Sequence, residues 1–324
     1  MSSVHATFLV SAPDQPGLVA RLSGFFYELA LNIVDASNHT DVHSEAPAAS
    51  AGVRDALATA RSALTAPHEP GPARFFMRLV VDLAGLSRPG VADKLGGSAD
   101  RQTLERAFDG LSRSLEATWS VGYSDVLPRV ALLVTKDPTC LYDLVLRQRS
   151  GELACEIPLV ISNHSHLESV AQSFRIPFVA LPVTAETKAS QERQILEHLA
   201  RHHVDLVVLA RYMQILSAPL CAALKGRAIN IHHSFLPSFK GARPYVQAHD
   251  RGVKLIGATA HYVTADLDEG PIIEQDVARV DHSLDTDDLT AVGRDVECVV
   301  LARAVRWHVE HRVLMNGHKT VVFR

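Results

Sequence analysis

The sequence predicts an α/β protein of two domains, and three observations lead to this prediction. The chain has 324 residues, more than a single domain usually holds. Residues 1–125 contain four β-rich segments and two segments with helical periodicity. In residues 128–324, β-rich and helical segments alternate. An alternation of this kind predicts a doubly wound, mostly parallel sheet with helices on both faces. We therefore expect the domain boundary close to Leu127 and Pro128.

The first domain is predicted to follow the order βαββαβ. Four short segments are rich in strand-forming residues: residues 6–11, 32–36, 74–83 and 117–123. Two segments repeat apolar side chains at helical spacing: residues 18–30 and 103–115. This order of elements is that of a ferredoxin-like module.

An Ala- and Pro-rich stretch over about residues 43–73 interrupts this order between the second and third strands. A helix over residues 53–64 would bury little area, because its apolar face is mostly alanine. We interpret the stretch as a surface excursion or partly disordered insert that leaves the fold intact.

The second domain is predicted from strands separated by helices. Its strand segments are residues 129–135, 157–162, 178–181, 205–210, 228–232 and 255–263. Its helical segments are residues 140–149, 166–174, 190–203 and 217–224, followed by a long apolar-periodic run over 287–315 and a final strand at 320–323. Right-handed crossovers between parallel strands leave all their carboxyl ends at one edge, where ligands of such sheets bind.

Polar residues gather at the ends of two of these strands. Asn230 and His232 are two positions apart, so a strand would direct both side chains to one face. Asp268 follows the next strand in a short acidic turn. The amide can stabilise an oxyanion, the imidazole can transfer protons, and the carboxylate can orient water or the imidazole. The sequence therefore predicts an enzyme that acts at a carbonyl carbon with these three catalytic residues.

The ordered residues around this site resemble the formyltransferase family, which handles 10-formyltetrahydrofolate. The resemblance covers roughly residues 128–282, and three segments carry it: Asn230-Ile-His232, Ser234-x-Leu236-Pro237-Ser238, and His261-Tyr-Val263 with Asp266-x-Asp268-x-Gly270-x-Ile272-Ile273. The resemblance implies that Asn230, His232 and Asp268 occupy the family's catalytic positions. It also implies the residues that hold the pterin ring or close over it: Arg211, Met213, Gln214, Ile215, Leu216, Thr264 and Asp266.

The first strand–helix junction of the second domain bears on the identity of the formyl acceptor. In this family, a transformylase of glycinamide ribonucleotide has a Gly-rich turn at the junction that cradles the phosphate. Residues 135–140 read TKDPTC, without glycine, and Asp137 would repel a phosphate dianion. The resemblance therefore implies the hydrolytic members of the family, which release formate and tetrahydrofolate from 10-formyltetrahydrofolate, supply formate for purine biosynthesis and balance one-carbon folate pools. Formyl transfer to an amine such as glycinamide ribonucleotide is the alternative.

Residues 13–41, PDQPGLVARLSGFFYELALNIVDASNHTD, resemble an ACT domain, a regulatory module that often pairs across subunits and binds amino acids. The resemblance implies a homo-oligomer and an amino-acid effector. The matching positions are Asp14, Gln15, Pro16, Gly17 and Asn32. Proline and glycine at these positions also suit a plain turn, in which Asp14 would accept backbone hydrogen bonds at the start of the helix. Both interpretations stay open at this point.

Composition and charge restrict the classes of partner. The net charge is −4, which provides no basic surface for nucleic acid or an anionic membrane. No apolar run approaches the ~20 residues that span a bilayer, and the start of the chain lacks a secretory pattern. The four cysteines show no metal-binding spacing. We therefore expect a cytoplasmic enzyme with reduced thiols, a folate substrate, and neither metal nor cofactor.

Overall fold

The computed structural model describes residues 3–42, 73–232 and 244–324, which divide into two compact units. The first unit comprises Met1–Val126 with Leu314–Phe323, and the second comprises Leu127–Val313 with Arg324. The expected insert, apart from its last residue, lies outside the described residues, as do motif residues 233–243.

The final strand was expected in the second domain, but the C-terminal hairpin that contains it belongs to the first unit. Asn316 of this hairpin donates a hydrogen bond of 2.6 Å to the Asp41 carboxylate, and Lys319 lies 3.7 Å from the same group. These polar contacts account for the different assignment of its residues.

Four antiparallel strands form the sheet of the first unit, in the order β2-β3-β1-β4. They are β1 (His5–Pro13), β2 (Asn32–Asp41), β3 (Arg74–Asp82) and β4 (Thr118–Tyr123). The helices are α1 (Leu18–Glu28), α2 (Val91–Lys94) and α3 (Arg101–Ser114), with a 3₁₀ turn at Leu83–Ser87 before α2. The predicted ferredoxin-like order is confirmed, and the 3₁₀ turn and α2 are additions to it.

The core of this unit follows from the strand period of two. Alternate residues of β1 and β3 are buried against apolar residues of α1 and α3. Phe8 lies at the centre, with its ring centroid 5.0 Å from that of Phe26 and 4.6 Å from that of Phe108. Aromatic packing thereby joins both helices to the sheet.

The second unit contains a seven-stranded sheet in the order β11-β10-β9-β8-β5-β6-β7. Its strands are β5 (Arg129–Val134), β6 (Glu156–Ser162), β7 (Phe178–Ala180), β8 (Leu206–Leu209), β9 (Ala228–His232), β10 (Leu255–Tyr262) and β11 (Ile272–Arg279). Strands β5 to β9 are parallel, whereas β10 and β11 are antiparallel to their neighbours. The predicted mostly parallel sheet is confirmed, and β11 is a strand that the sequence reading missed.

Helices connect these strands and cover the sheet. They are α4 (Thr139–Arg149), α5 (Glu168–Ser173), α6 (Lys188–Arg201), α7 (Ala218–Ala223), α8 (Pro244–Asp250) and α9 (Thr286–Val309). A capping box formed by Asp285 and Asp288 begins α9. The helix ends before the predicted residue 315 because His311 adopts a left-handed conformation with φ +51°. The strands β12 (Val313–Asn316) and β13 (Lys319–Val322) follow.

The order of strands determines where a ligand can bind. The chain runs from β5 to β6 and β7 on one side of β5, and it then returns to β8 on the other side. Doubly wound sheets bind ligands at the carboxyl ends of strands where the order reverses in this way. The loops after β5 and β8 lie at this edge, where β9 also ends. Within the described parts of the chain, no helix has the length and apolar composition needed to cross a bilayer.

Candidate active site

The side chains of Asn230, His232 and Asp268 meet at the carboxyl end of β9. Nδ1 of His232 lies 3.3 Å from Oδ2 of Asp268, and Nδ2 of Asn230 donates to Oδ1 of Asp268 at 3.4 Å. The strand period places the first two residues on one face. Asp268 arrives from the turn after β10, which lies beside β9. The three residues predicted to be catalytic are therefore brought together by the fold.

A fourth residue, His261, completes the polar cluster. It is only 4% exposed, and its Nε2 atom lies 3.3 Å from Nδ2 of Asn230 and 3.7 Å from Oδ1 of Asp268. Its Nδ1 atom lies 3.0 Å from the carbonyl oxygen of Tyr262. A carbonyl oxygen only accepts hydrogen bonds, so Nδ1 carries the proton and Nε2 accepts from the Asn230 amide.

The sequence reading included His261 in a motif but not among the site residues. β9 and β10 are antiparallel, and their register pairs His261 directly with Asn230. A histidine in an otherwise apolar strand, opposite a predicted catalytic residue, is the signal that could have identified it.

The chain approaches this cluster very closely at Gly270. A Cβ atom at this position would lie 1.7 Å from the Tyr262 carbonyl oxygen and 3.0 Å from Nδ1 of His261. Only glycine fits there, because any side chain would displace the backbone that fixes the histidine. The Asp-x-Gly spacing in the motif thus has a steric reason as well as a chemical one.

Burial controls the charge of His232. Its pKa is lowered, first because the ring is removed from water and also because His261 is nearby, while the Asp268 carboxylate acts in the opposite direction. The imidazole is therefore neutral at pH 7. A neutral ring whose Nδ1–H points at a carboxylate has the tautomer needed to accept a proton at Nε2.

A cavity of about 240 Å³ opens beside these residues. Every residue predicted for catalysis or folate binding lines it: Arg211, Met213, Gln214, Ile215, Leu216, Asn230, His232, Thr264, Asp266 and Asp268. Met213 and Ile215 are 62% and 60% exposed, which is unusual for large apolar side chains. An apolar rim above a polar floor is the usual form of a site for a small organic molecule.

The rim loop after β8 is held by buried polar side chains. The Met213 amide donates to Oγ1 of Thr135 at 3.0 Å, and Gln191 donates to the Tyr212 hydroxyl at 2.8 Å. At the end of the loop, the Ser217 amide donates to Glu192 at 2.9 Å. The backbone of this wall is therefore positioned before any ligand arrives.

Arg211 begins the same loop, and its side chain is turned to an ion pair. Its Nη1 atom donates to both carboxylate oxygens of Glu297, at 2.8 and 2.7 Å. Glu297 is 1% exposed and was missed by sequence reasoning. Its only sequence signal is an acidic residue among the apolar positions of α9.

The residues expected to bind an effector do not come together within one chain. Asp14, Gln15, Pro16 and Gly17 form the exposed turn between β1 and α1, where Gly17 has φ +89°. Asn32 begins β2 and pairs with Asp82, whereas the end of β1 pairs with Arg74. The two groups thus lie at opposite ends of the nine-residue strand β3.

The described residues contain no group of three or more His, Cys, Asp or Glu side chains arranged to hold a metal ion. The four cysteines are free and buried, with the Sγ atoms of Cys140 and Cys298 3.8 Å apart.

Comparison with known proteins identifies the family. A model of the formyl transferase family matches residues 128–305. A Synechocystis sp. protein named formyltetrahydrofolate deformylase is 48% identical, with 100% of both chains covered. The crystal structure of formyltetrahydrofolate deformylase from Burkholderia mallei is 41% identical, with a TM-score of 0.82 and 99% of both chains covered. A glycinamide ribonucleotide transformylase structure from Symbiobacterium toebii is 28% identical, with a TM-score of 0.58, and the match covers 62% of this chain and 97% of that one.

The match to the family model covers more than half of the chain, and the similarity to deformylases covers all of it. The chain belongs to the formyl transferase family and, within that family, to the formyltetrahydrofolate deformylases.

Proposed function

We infer that the protein hydrolyses 10-formyltetrahydrofolate to tetrahydrofolate and formate. The observation that carries this inference is the meeting of Asn230, His232 and Asp268 on the floor of one cavity, in a chain whose full-length relatives are named formyltetrahydrofolate deformylases. The reaction supplies formate for purine biosynthesis and balances the one-carbon folate pools.

The pterin ring binds between the rim loop and the turn after β10. Met213, Ile215 and Leu216 supply apolar contacts, and the backbone of Arg211 and Gln214 supplies hydrogen bonds. Thr264 and Asp266 close the opposite side. This assignment is supported by the shared cavity and by the two exposed apolar side chains, which a bound ring would cover. A cavity of about 240 Å³ accommodates a ring system, and the remainder of the folate extends outside.

Water is the nucleophile in the proposed reaction. The neutral His232, held through Nδ1 by Asp268, accepts a proton from water, whose oxygen attacks the formyl carbon. Asp268 supports this step by orienting the imidazole and the water, and it stabilises the imidazolium that forms. The Asn230 amide exchanges its 3.4 Å hydrogen bond to Asp268 for one to the developing oxyanion, and it keeps its contact with His261. One such donor is worth roughly 3–4 kcal/mol in the barrier. The proton then passes from His232 to the leaving nitrogen N10. No metal or cofactor takes part.

Formyl transfer to an amine is the second candidate. The glycinamide ribonucleotide transformylase from Symbiobacterium toebii supports this candidate only through a match to part of this chain. Assay with 10-formyltetrahydrofolate as the sole reactant separates the two functions. Formate release without an added amine is the expected result, and turnover that requires an amine such as glycinamide ribonucleotide would favour the transferase.

We further propose that the first unit is an ACT-like module that pairs two copies of the chain. β2 is an edge strand with exposed Val34, a surface suited to pairing with a second copy. An antiparallel pair would bring Asp14–Gly17 of one copy near Asn32 of the other, and an amino-acid effector would bind between them. The test combines light scattering for the mass with thermal-shift assays of amino acids on the protein and on Asn32→Ala. An unchanged melting temperature with every amino acid would contradict the proposal that the module binds an amino-acid effector.

The buried free thiols suit a reducing compartment, which supports our proposal of a cytoplasmic enzyme.

A further inference from the structure

Side chains of the protein itself fill part of the crevice where the strand order of the large sheet reverses. Asp137 follows β5 and Arg211 follows β8, and the distance from the Asp137 carboxylate to the Arg211 guanidinium is 3.7 Å. These two strands flank the reversal, the position at which doubly wound sheets bind ligands. These two side chains therefore occupy space that the strand order would otherwise leave for a ligand.

The Arg211 guanidinium is held from several sides. Glu297 accepts two hydrogen bonds from its Nη1 atom, and the Tyr245 hydroxyl donates to the same carboxylate at 2.9 Å. Nε of Arg294 lies 3.5 Å from the Asp137 carboxylate. Two cations are thus balanced by two carboxylates, so the network offers no net charge to an ionic acceptor. Two charge-assisted hydrogen bonds to a buried carboxylate restrict the orientation of the arginine side chain.

The backbone at Arg211 gives a second indication that this side chain has a specific role. Its φ is +64°, a left-handed conformation that glycine adopts without penalty and that costs an arginine roughly 1–2 kcal/mol. The register of β8 and β9 pairs Leu209 with Asn230, so Arg211 follows β8 at the edge of the sheet where β9 ends with His232. Arg211 lines the same cavity as Asn230 and His232, at a position where the backbone itself would favour glycine.

We propose that the Arg211 side chain is a specificity-determining group: it fills the space beside the formyl-binding residues, so that water, and no amine, reaches the formyl carbon. This inference rests on the proposed function. In hydrolysis a C–O bond forms, the bond from carbon to N10 breaks, and the proton of the water passes to N10. With room for an amine, a C–N bond would form instead, and the amine would supply the proton.

The test replaces the side chain without straining the backbone. Arg211→Gly suits the left-handed conformation, and it is combined with Glu297→Gln so that no buried carboxylate is left without its cation. The matched control is Arg175→Gly, which makes the same change at another left-handed position, φ +57°, in an exposed loop away from the catalytic cavity. Hydroxylamine is the probe, because it is a small neutral amine that yields formohydroxamate on formyl capture.

The ratio of formohydroxamate to formate is measured with 10-formyltetrahydrofolate for the parent protein and both variants. We expect the parent and Arg175→Gly to give the same low ratio, and the double variant to raise that ratio at least about tenfold. A folded double variant with the ratio of the parent would overturn the proposal. So would a folded double variant that forms neither product, since the network would then be needed for the reaction itself.

A milder variant keeps the proposal testable if the double variant does not fold. Arg211→Lys retains the charge but vacates the volume of the guanidinium, and we expect an intermediate ratio. A ratio equal to that of the parent would count against the proposal. Failure of the proposed function has a different signature, because the parent protein would then release no formate from 10-formyltetrahydrofolate.

Discussion

Nδ2 of Asn230 lies 3.3 Å from Nε2 of His261, and this contact fixes the orientation of the Asn230 amide. Because Nδ1 of His261 is directed at the Tyr262 carbonyl, Nε2 can only accept, so the amide must present its nitrogen. The amide nitrogen is the atom that the proposed mechanism uses to stabilise the oxyanion. His261 thus acts as a positioning residue behind the group that would touch the substrate.

The first prediction concerns this positioning role. We expect His261→Ala to lower kcat about tenfold and leave KM nearly unchanged, because an amide that has lost one hydrogen bond of ~1.4 kcal/mol no longer keeps a single orientation. Steady-state formate release measures both constants. His164→Ala removes an exposed histidine that follows β6 and serves as control. A rise in KM with normal kcat would assign His261 to folate binding instead.

The second prediction concerns the carboxylate. Asp268→Asn keeps the shape of the side chain but removes the charge that orients His232, and we expect formate release to fall by a factor of about 10²–10³. The control is Glu269→Gln, which removes a neighbouring exposed carboxylate that does not line the cavity. Near-parental formate release by Asp268→Asn would show that Asp268 has no part in the reaction.

The third prediction concerns pH. Burial lowers the pKa of His232, so its neutral form is present above that pKa and is lost as the pH falls through it. The acidic limb of kcat/KM should therefore lie below pH 6.5, the ordinary value for histidine. Asp268 raises this pKa, so Asp268→Asn should lower it further. Histidine NMR titration measures the shift directly, with His232→Asn used for assignment. An upward shift in Asp268→Asn would contradict the proposed electrostatics.

Local periodicity was enough to predict the parts of the site that depend on one strand. Asn230 and His232 share a face because strands have a period of two, and both were identified. His261 and Glu297 were missed because their roles depend on the pairing of β9 with β10 and on the packing of α9, which are contacts distant in sequence. The orientation of the Arg211 side chain likewise depends on its ion pair with Glu297, a residue distant in sequence.

The same distinction applies to the fold. Strands β5 to β9 were predicted because their apolar runs are separated by helical segments. β11 was missed because three polar residues, Glu274 to Asp276, interrupt its apolar residues, and only the pairing with β10 identifies it as a strand. The C-terminal hairpin had a local signal, Asn316-Gly317 between two apolar runs, which the expectation of one long helix obscured.

The fourth prediction concerns the apolar rim. Met213 is 62% exposed, and we expect a bound pterin to cover it. Met213→Ser should therefore raise KM about tenfold and leave kcat unchanged, since the lost apolar contact is made equally in the ground and transition states. Leu146→Ser, at an apolar side chain of similar exposure on α4, is the control. An unchanged KM in Met213→Ser would place the pterin elsewhere.

The last prediction concerns the close approach at Gly270. In Gly270→Ala, the new Cβ would overlap the Tyr262 carbonyl oxygen, so the backbone that accepts the hydrogen bond from His261 must move. We expect a loss of about 2–3 kcal/mol in the free energy of unfolding, and a fall in kcat larger than that of His261→Ala because Asp268 moves as well. Gly110→Ala is the control: this glycine lies within α3 with nothing within 4 Å of the added Cβ, and the change should stabilise the protein by about 0.5–1 kcal/mol. Chemical denaturation and formate release measure the two effects. Parental stability and activity in Gly270→Ala would mean that the turn after β10 is looser than the distances in this site indicate.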